Sequence, residues 1–214
     1  SIIASTAQGY VNLADRLIYD PRRAVELLEE AGWTLGPRGV RQKDGQELVL
    51  TAYESLPQPR NKETLQLVAQ QWARIGVRLN VLAGDSGSRV VDNLDPAKTP
   101  VSPAMVGRAD PDVIRSQYHP LTRNALLQTG GVSQRVRSFH DARLNDLLDA
   151  IASEPNREKR LALVGDVQRY ILDQAYVIPI FEEPQVFAAA PRVRGLGFEA
   201  VGRPSFYGTW LAAR

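Results

Sequence analysis

Cysteine is missing from all 214 residues of this chain, which excludes disulfides, thiolate metal centres and cysteine nucleophiles together. Methionine occurs once and histidine twice, as His119 and His140, so imidazole chemistry has two places at most. No apolar run approaches the roughly 18 residues that a membrane-spanning helix needs. An excess of one charge is also missing. Against 24 acidic residues stand 26 basic ones, for a net charge of +2, and so small a surplus implies no polyanionic partner such as nucleic acid. A cysteine-free chain fits an extracytoplasmic protein, although many cytosolic proteins share that trait. Ser1 opens the sequence in place of Met with no leader segment ahead of it, so it reads as a piece of a longer protein.

What is present is a regular alternation of helical and extended patterns. Asp20 precedes Pro21, which is an N-cap carboxylate followed by the imino acid best suited to the first helical position. Ala24, Leu27, Leu28 and Ala31 follow at i, i+3, i+4 and i+7, predicting one buried stripe. Gly32 supplies the left-handed residue that ends such a helix. Asp44-Gly45 signals a turn before a strand over Leu48 to Tyr53. A second helix is expected over residues 62–75, with Leu65, Val68, Ala69 and Trp72 on one face and Gly76 as its stop. Val77 to Leu82 alternates as a half-buried strand should. Residues 84–103 read as loop with a short helix at 87–94, and Val101 to Gly107 as a further short strand. Residues 121–138 are polar and irregular.

The last third is more periodic. Leu144, Leu147, Leu148 and Ile151 mark one helix; Leu163, Val167, Tyr170 and Ile171 mark another beginning near Asn156. Ala175 to Phe181 and Gln185 to Ala190 are apolar runs separated by Glu182-Glu183-Pro184, read as a hairpin. Val193 to Phe198 reads as a strand, and the tail from Pro204 as a last turn or short helix. Helices interspersed with short strands predict a mixed α/β (α+β) lobe with one sheet.

Four segments carry a resemblance. YDPRRAVELLEEAGW, residues 19–33, resembles the "YDP-x-x-A-x-x-LL-x-x-AGW" segment of the solute-binding proteins of peptide/nickel-type (family 5) ABC transporters. LQLVAQQWARIGVRLNV, RADPDVIRSQYHP and the stretch from Leu144 to Phe181 resemble later segments of the same family, in the same order. The resemblance implies the C-terminal lobe of a type II periplasmic-binding-protein fold, a mixed sheet packed with helices. Residues 15–200 would form the ligand-binding lobe, 1–14 the link from an N-terminal lobe, and 201–214 a tail returning toward it. It further implies a monomer without cofactor or catalysis, periplasmic or otherwise extracytoplasmic, with a lipid anchor at the missing N-terminus as one option, that captures a small molecule or peptide and delivers it to a membrane permease.

Site residues follow from the same resemblance. Peptide-binding members carry an aspartate three positions before the first Asp of the DPD segment, where it pairs with the ligand's ammonium group, and Gly107 occupies that position here. An aromatic residue common just upstream is also replaced, with Met105 in its neighbourhood. Arg108 offers a cation suited to a carboxylate or phosphate. Met105, Gly107, Arg108 and Asp110 are therefore the expected ligand-binding set, although Asp110 and Asp112 are also natural caps for a helix beginning at Pro111.

Two other signals compete. Gly84-Asp85-Ser86-Gly87-Ser88 has the look of a serine nucleophile, and a serine hydrolase using Ser86 is the alternative in another class; an unrelated αβ interaction domain is a third. Trypsin-like enzymes place their base upstream of that serine, whereas both histidines here lie downstream. Some family members carry nickel, but two histidines 21 positions apart without a nearby acidic cluster are a poor metal signal. Surface or loop positions are expected for both, and no metal site is expected.

Overall fold

The computed structural model describes residues 1–54, 60–83, 100–101, 103, 106, 110–122, 140–199 and 202–213. These fall into two units. One is built from the described residues of 1–17, 106–132 and 139–214, the other mainly from those of 18–105.

In the 18–105 unit, helix α1 (Pro21–Glu30) begins as its sequence dictates: Asp20 Oδ1 accepts from the backbone N–H groups of Arg22 at 3.0 Å and Arg23 at 2.9 Å. It ends in a Schellman motif, with Gly32 at φ +86° donating to Glu29 O and Trp33 donating to Leu28 O, both at 2.8 Å. The apolar stripe, however, is not a buried face. No residue of α1 is buried, and Leu27 is 49% exposed. A buried cation ties the helix down instead. Arg41, 3% exposed, donates to Trp33 O at 2.7 Å and Ile75 O at 2.8 Å and pairs with Glu29.

Three short strands, β1 (Thr34–Leu35), β2 (Arg41–Lys43) and β3 (Gln46–Glu47), form an antiparallel meander. Asp44 and Gly45 close its second hairpin with φ of +51° and +77°, the two positive values a type I′ turn requires. Strand β4 (Val49–Tyr53), helix α2 (Asn61–Ala73) and strand β5 (Arg78–Leu82) make a βαβ unit. The strands pair in parallel, from Val49 opposite Arg78 to Tyr53 opposite Leu82. Ala52, Leu65 and Leu79 form its core, flanked by Val68, Ala69 and Trp72, so the expected α2 face is the observed one. Gly76, at φ +83°, is the expected stop. Val101 adds one parallel bridge to Ala52. The helix proposed at 87–94 lies outside the described residues.

The other unit is mainly helical: α3 (Val113–Tyr118), α4 (Ala142–Ser153) and α5 (Arg157–Asp173). Leu144, Leu148 and Ile151 of α4 meet Val164, Val167 and Ile171 of α5, each 1% exposed or less, with Ile2, Ile3 and Ala7 of the chain's beginning in the same cluster. Asn156 caps α5, accepting from Lys159 N–H at 3.0 Å.

Two expectations fail in the last third and another is met only in part. The described residues 177–190 form no strand, so the expected hairpin is absent. Pro179 and Pro184 lack donors for a ladder, and Ile178, Ile180 and Val186 are exposed rather than packed. The strand expected at 193–198 is split by Gly195, at φ +67°, into β6 (Val193–Arg194) and β7 (Gly197–Phe198). The tail holds the expected turn and, among its described residues, no helix, but strands flank it. The turn lies between β8 (Pro204–Ser205) and β9 (Trp210–Leu211), which pair with β7 and β6 respectively. Mixed α/β character stands, but the strands among the described residues form four small sheets in place of one.

Candidate functional site

Of the expected ligand-binding set, Met105, Gly107 and Arg108 lie outside the described residues, as does Ser86. Asp110 is exposed just before α3, and among the described residues its carboxylate makes no hydrogen bond; its backbone carbonyl accepts from Val113 N–H at 3.2 Å. The capping role fails for both aspartates. The helix begins at Val113, and Asp112 stands at the N-cap with backbone already helical (φ −73°, ψ −7°) and no capping bond from its side chain. A carboxylate caps best from an extended N-cap, where it can reach the next turn's N–H groups. Asp110 is thus held at the mouth of α3 by backbone alone, its charge open to solvent.

Helix α3 is anchored by burial. Val113, Ile114 and Tyr118 are each 3% exposed or less, and removal of the Tyr118 ring from water pushes its hydroxyl pKa up to about 12. His119 follows, on the loop after the helix as one of the two expected placements has it, but buried rather than at the surface. It is 3% exposed, its Nδ1 accepts from Leu121 N–H at 3.1 Å, and its Nε2 lies 3.2 Å from the Asp149 carboxylate, which Arg115 also approaches at 3.7 Å. With Nδ1 an acceptor, the proton sits on Nε2 and points at Asp149. Both ring nitrogens are occupied in positioning the end of α3, which leaves none free to activate a nucleophile. His140 is exposed. Among the described residues no group of three His, Asp or Glu side chains is arranged to hold a metal ion.

A second polar centre was not picked out from the sequence. Asp141 caps α4, accepting from Leu144 N–H at 2.9 Å, and its other oxygen receives the hydroxyls of Tyr170 at 2.9 Å and Tyr176 at 2.7 Å. Partial burial would raise the carboxyl pKa, but the donors from Leu144, Tyr176, Tyr170 and Arg143 outweigh it and hold Asp141 below the usual carboxylate range. Burial and the same carboxylate push the Tyr176 hydroxyl up to about 12. Arg143 lies 5.0 Å over the Tyr170 ring. The cluster staples α4 to the end of α5. Its signal in the sequence was only an Asp before an apolar helical run, which gives the cap without its two tyrosines.

Gln168 is the third such centre. Fully buried in α5, it donates to Gly9 O at 2.7 Å and Val164 O at 3.2 Å and accepts from the Ser1 hydroxyl at 2.6 Å. It fixes the first nine residues against the helix. A glutamine in a polar-flanked helix carries no sequence mark of burial.

The sequence profile of the bacterial extracellular solute-binding proteins, family 5 (middle region), matches residues 1–133. Heme-binding protein A of Haemophilus influenzae is 29% identical over 197 residues, covering 89% of this chain and 32% of that protein. The oligopeptide-binding protein OppA of Lactococcus lactis is 42% identical over 83 residues, 38% of this chain and 13% of that one. Among solved structures, a putative peptide-binding protein AppA from Clostridium difficile superposes with a TM-score of 0.72 at 14% identity, over 99% of this chain and 41% of that one. HbpA2 from Haemophilus parasuis gives 0.67 at 19% identity, over 97% and 38%. The chain thus spans about a third (32%) of the length of the Haemophilus influenzae heme-binding protein A. With the profile matching residues 1–133 and the fold shared along nearly its whole length, the chain belongs to the bacterial extracellular solute-binding proteins of family 5.

Proposed function

We propose that this chain is one lobe of the extracytoplasmic solute-binding component of an ABC importer, which captures a small ligand between two lobes and presents it to a membrane permease. The family match over residues 1–133 carries this reading. Residues 15–200 form the ligand-binding lobe, with 1–14 and 201–214 connecting it to the other, and an N-terminal lipid anchor would keep the whole protein near its permease. Ligand favours the closed form because it touches both lobes. Binding rather than catalysis is the work of such a site.

The ligand class turns on residues 105–110. Relatives are named for heme and oligopeptides, and one solved relative holds Ni(L-His), so the family scaffold accepts varied chemistry. Gly107 lacks the carboxylate that would select a free ammonium, and Arg108 brings a cation in its place. A charge-assisted hydrogen bond of that kind contributes about 1.5–3 kcal/mol. The full-length protein should therefore not prefer di- to pentapeptides with free N-termini over their N-acetylated forms, and calorimetry with both sets measures this. Tight binding of the free peptides that is lost on acetylation would show the amine partner to lie elsewhere. Arg108→Ala should weaken binding of carboxylate-bearing ligands.

A further inference from the structure

Between the start of α1 and the end of α2 runs an open groove of about 610 Å³, lined by Tyr19, Pro21, Val25 and Ile75 with Arg22, Glu26, Gln71 and Arg74. All of these belong to the 18–105 unit, and no expected ligand-binding residue is among them. Tyr19 is 71% exposed, and Val25 and Ile75 are half-buried. Glu26 shares the guanidinium of Arg23 with Glu30, each at 2.9 Å. Arg22 and Arg74 are exposed, and neither side chain has an ion-pair partner among the described residues. The groove therefore presents apolar walls with two arginines that lack an ion-pair partner among the described residues and one glutamate, a net positive lining.

That combination selects its occupant. A free phosphate or carboxylate would satisfy the arginines but leave Tyr19, Val25 and Ile75 wet. A bilayer surface is met by exposed clusters of several basic residues or by the apolar face of a helix, and a concave groove with two arginines is neither. A protruding peptide segment with acidic residues beside an apolar one fills the groove and pairs both cations. Tyr and Arg are the residue types that dominate binding energy at protein interfaces. We propose that the α1–α2 groove is the surface on which this protein docks an acidic, apolar-tipped extracytoplasmic loop of its permease. The proposal rests on the importer reading above. Charge pairing at the arginines would steer the encounter and make it salt-sensitive.

The test is site-specific photo-crosslinking of the full-length protein in its native cells. The probe is p-benzoylphenylalanine at Val25 or Gln71 in the groove and, as comparison, at Asp44 on the β2–β3 turn. Groove positions should give adducts that mass spectrometry maps to an acidic extracytoplasmic loop of the permease. Arg22→Glu and Arg74→Glu should each cut that yield about tenfold, the consequence of one lost charge-assisted contact, with melting curves unchanged because both side chains are exposed. Permease adducts from Asp44 but not from the groove would overturn the docking surface and leave the importer reading standing. Groove adducts within the protein's own chain, or to lipid, would overturn it as well. Permease adducts from none of the three positions would overturn both readings.

Discussion

Asp141 concentrates several jobs in one carboxylate: helix cap, acceptor for two tyrosines, and link between α4 and α5. Its pKa is held below the usual carboxylate range, so its stabilising contribution is complete above the unfolded-state value of about 3.9 and is lost as pH falls through the lower folded-state value. Asp141→Asn retains a capping oxygen but removes the charge that both hydroxyls address. Denaturant unfolding should find the variant less stable by about 1 kcal/mol at neutral pH, a figure reduced for the partial exposure of the group. The gap between the two proteins should stay constant down to about pH 5 and close as the solution is acidified further. A gap independent of pH would mean that shape, not charge, holds the cluster together.

Helix endings show how narrowly backbone geometry constrains an element. Helices α1 and α2 close in Schellman motifs on Gly32 and Gly76. Helix α5 closes in the same motif, with Ala175 donating to Leu172 O at 2.9 Å and Tyr176 to Ile171 O at 3.1 Å, but the left-handed position holds Ala175 at φ +54°. An L-residue with a Cβ is strained there by roughly 1 kcal/mol, and glycine is not. Ala175→Gly should raise stability by about 0.5–1 kcal/mol in thermal or denaturant melts, since the relief exceeds the added flexibility of the unfolded chain. A loss of stability would show that the methyl group is held by packing worth more than the strain. Tyr176, immediately after the motif, carries one of the two hydroxyls on Asp141, so the helix ending also sets the cluster.

Ile178, Ile180, Phe181, Val186, Phe206, Tyr207 and Trp210 are each more than half exposed, a density of large apolar groups that isolated surface residues do not account for. The relatives named above extend far beyond the length this chain covers. If residues 15–200 are one lobe of two, amide exchange across 177–190 should be fast in the isolated chain and slowed by at least an order of magnitude in the full-length protein, where another part of the polypeptide covers these side chains. The isolated chain should fold on its buried helical core yet bind poorly, because half the ligand contacts and the closure free energy are absent. Equal exchange and equal affinity in both would remove the two-lobe reading.

Local chemistry in the sequence was sufficient wherever the deciding contacts lie within a few residues. The cap at Asp20, the stops at Gly32 and Gly76, the Asp44-Gly45 hairpin, the β4–α2–β5 alternation and the paired faces of α4 and α5 all follow from short-range geometry and periodicity, and the ordered motifs carried the family. Contacts between distant residues decided the rest. An apolar run becomes a strand only if a partner ladder exists, and 177–190 has none among the described residues. A mid-helix glutamine becomes an anchor only where Gly9 and Ser1 arrive beside it, and His119 is buried because Asp149, thirty positions on, meets its ring. The α1 stripe is half-exposed for the same reason: periodicity gives a helix its apolar face, but only the packing of other elements determines whether anything covers it.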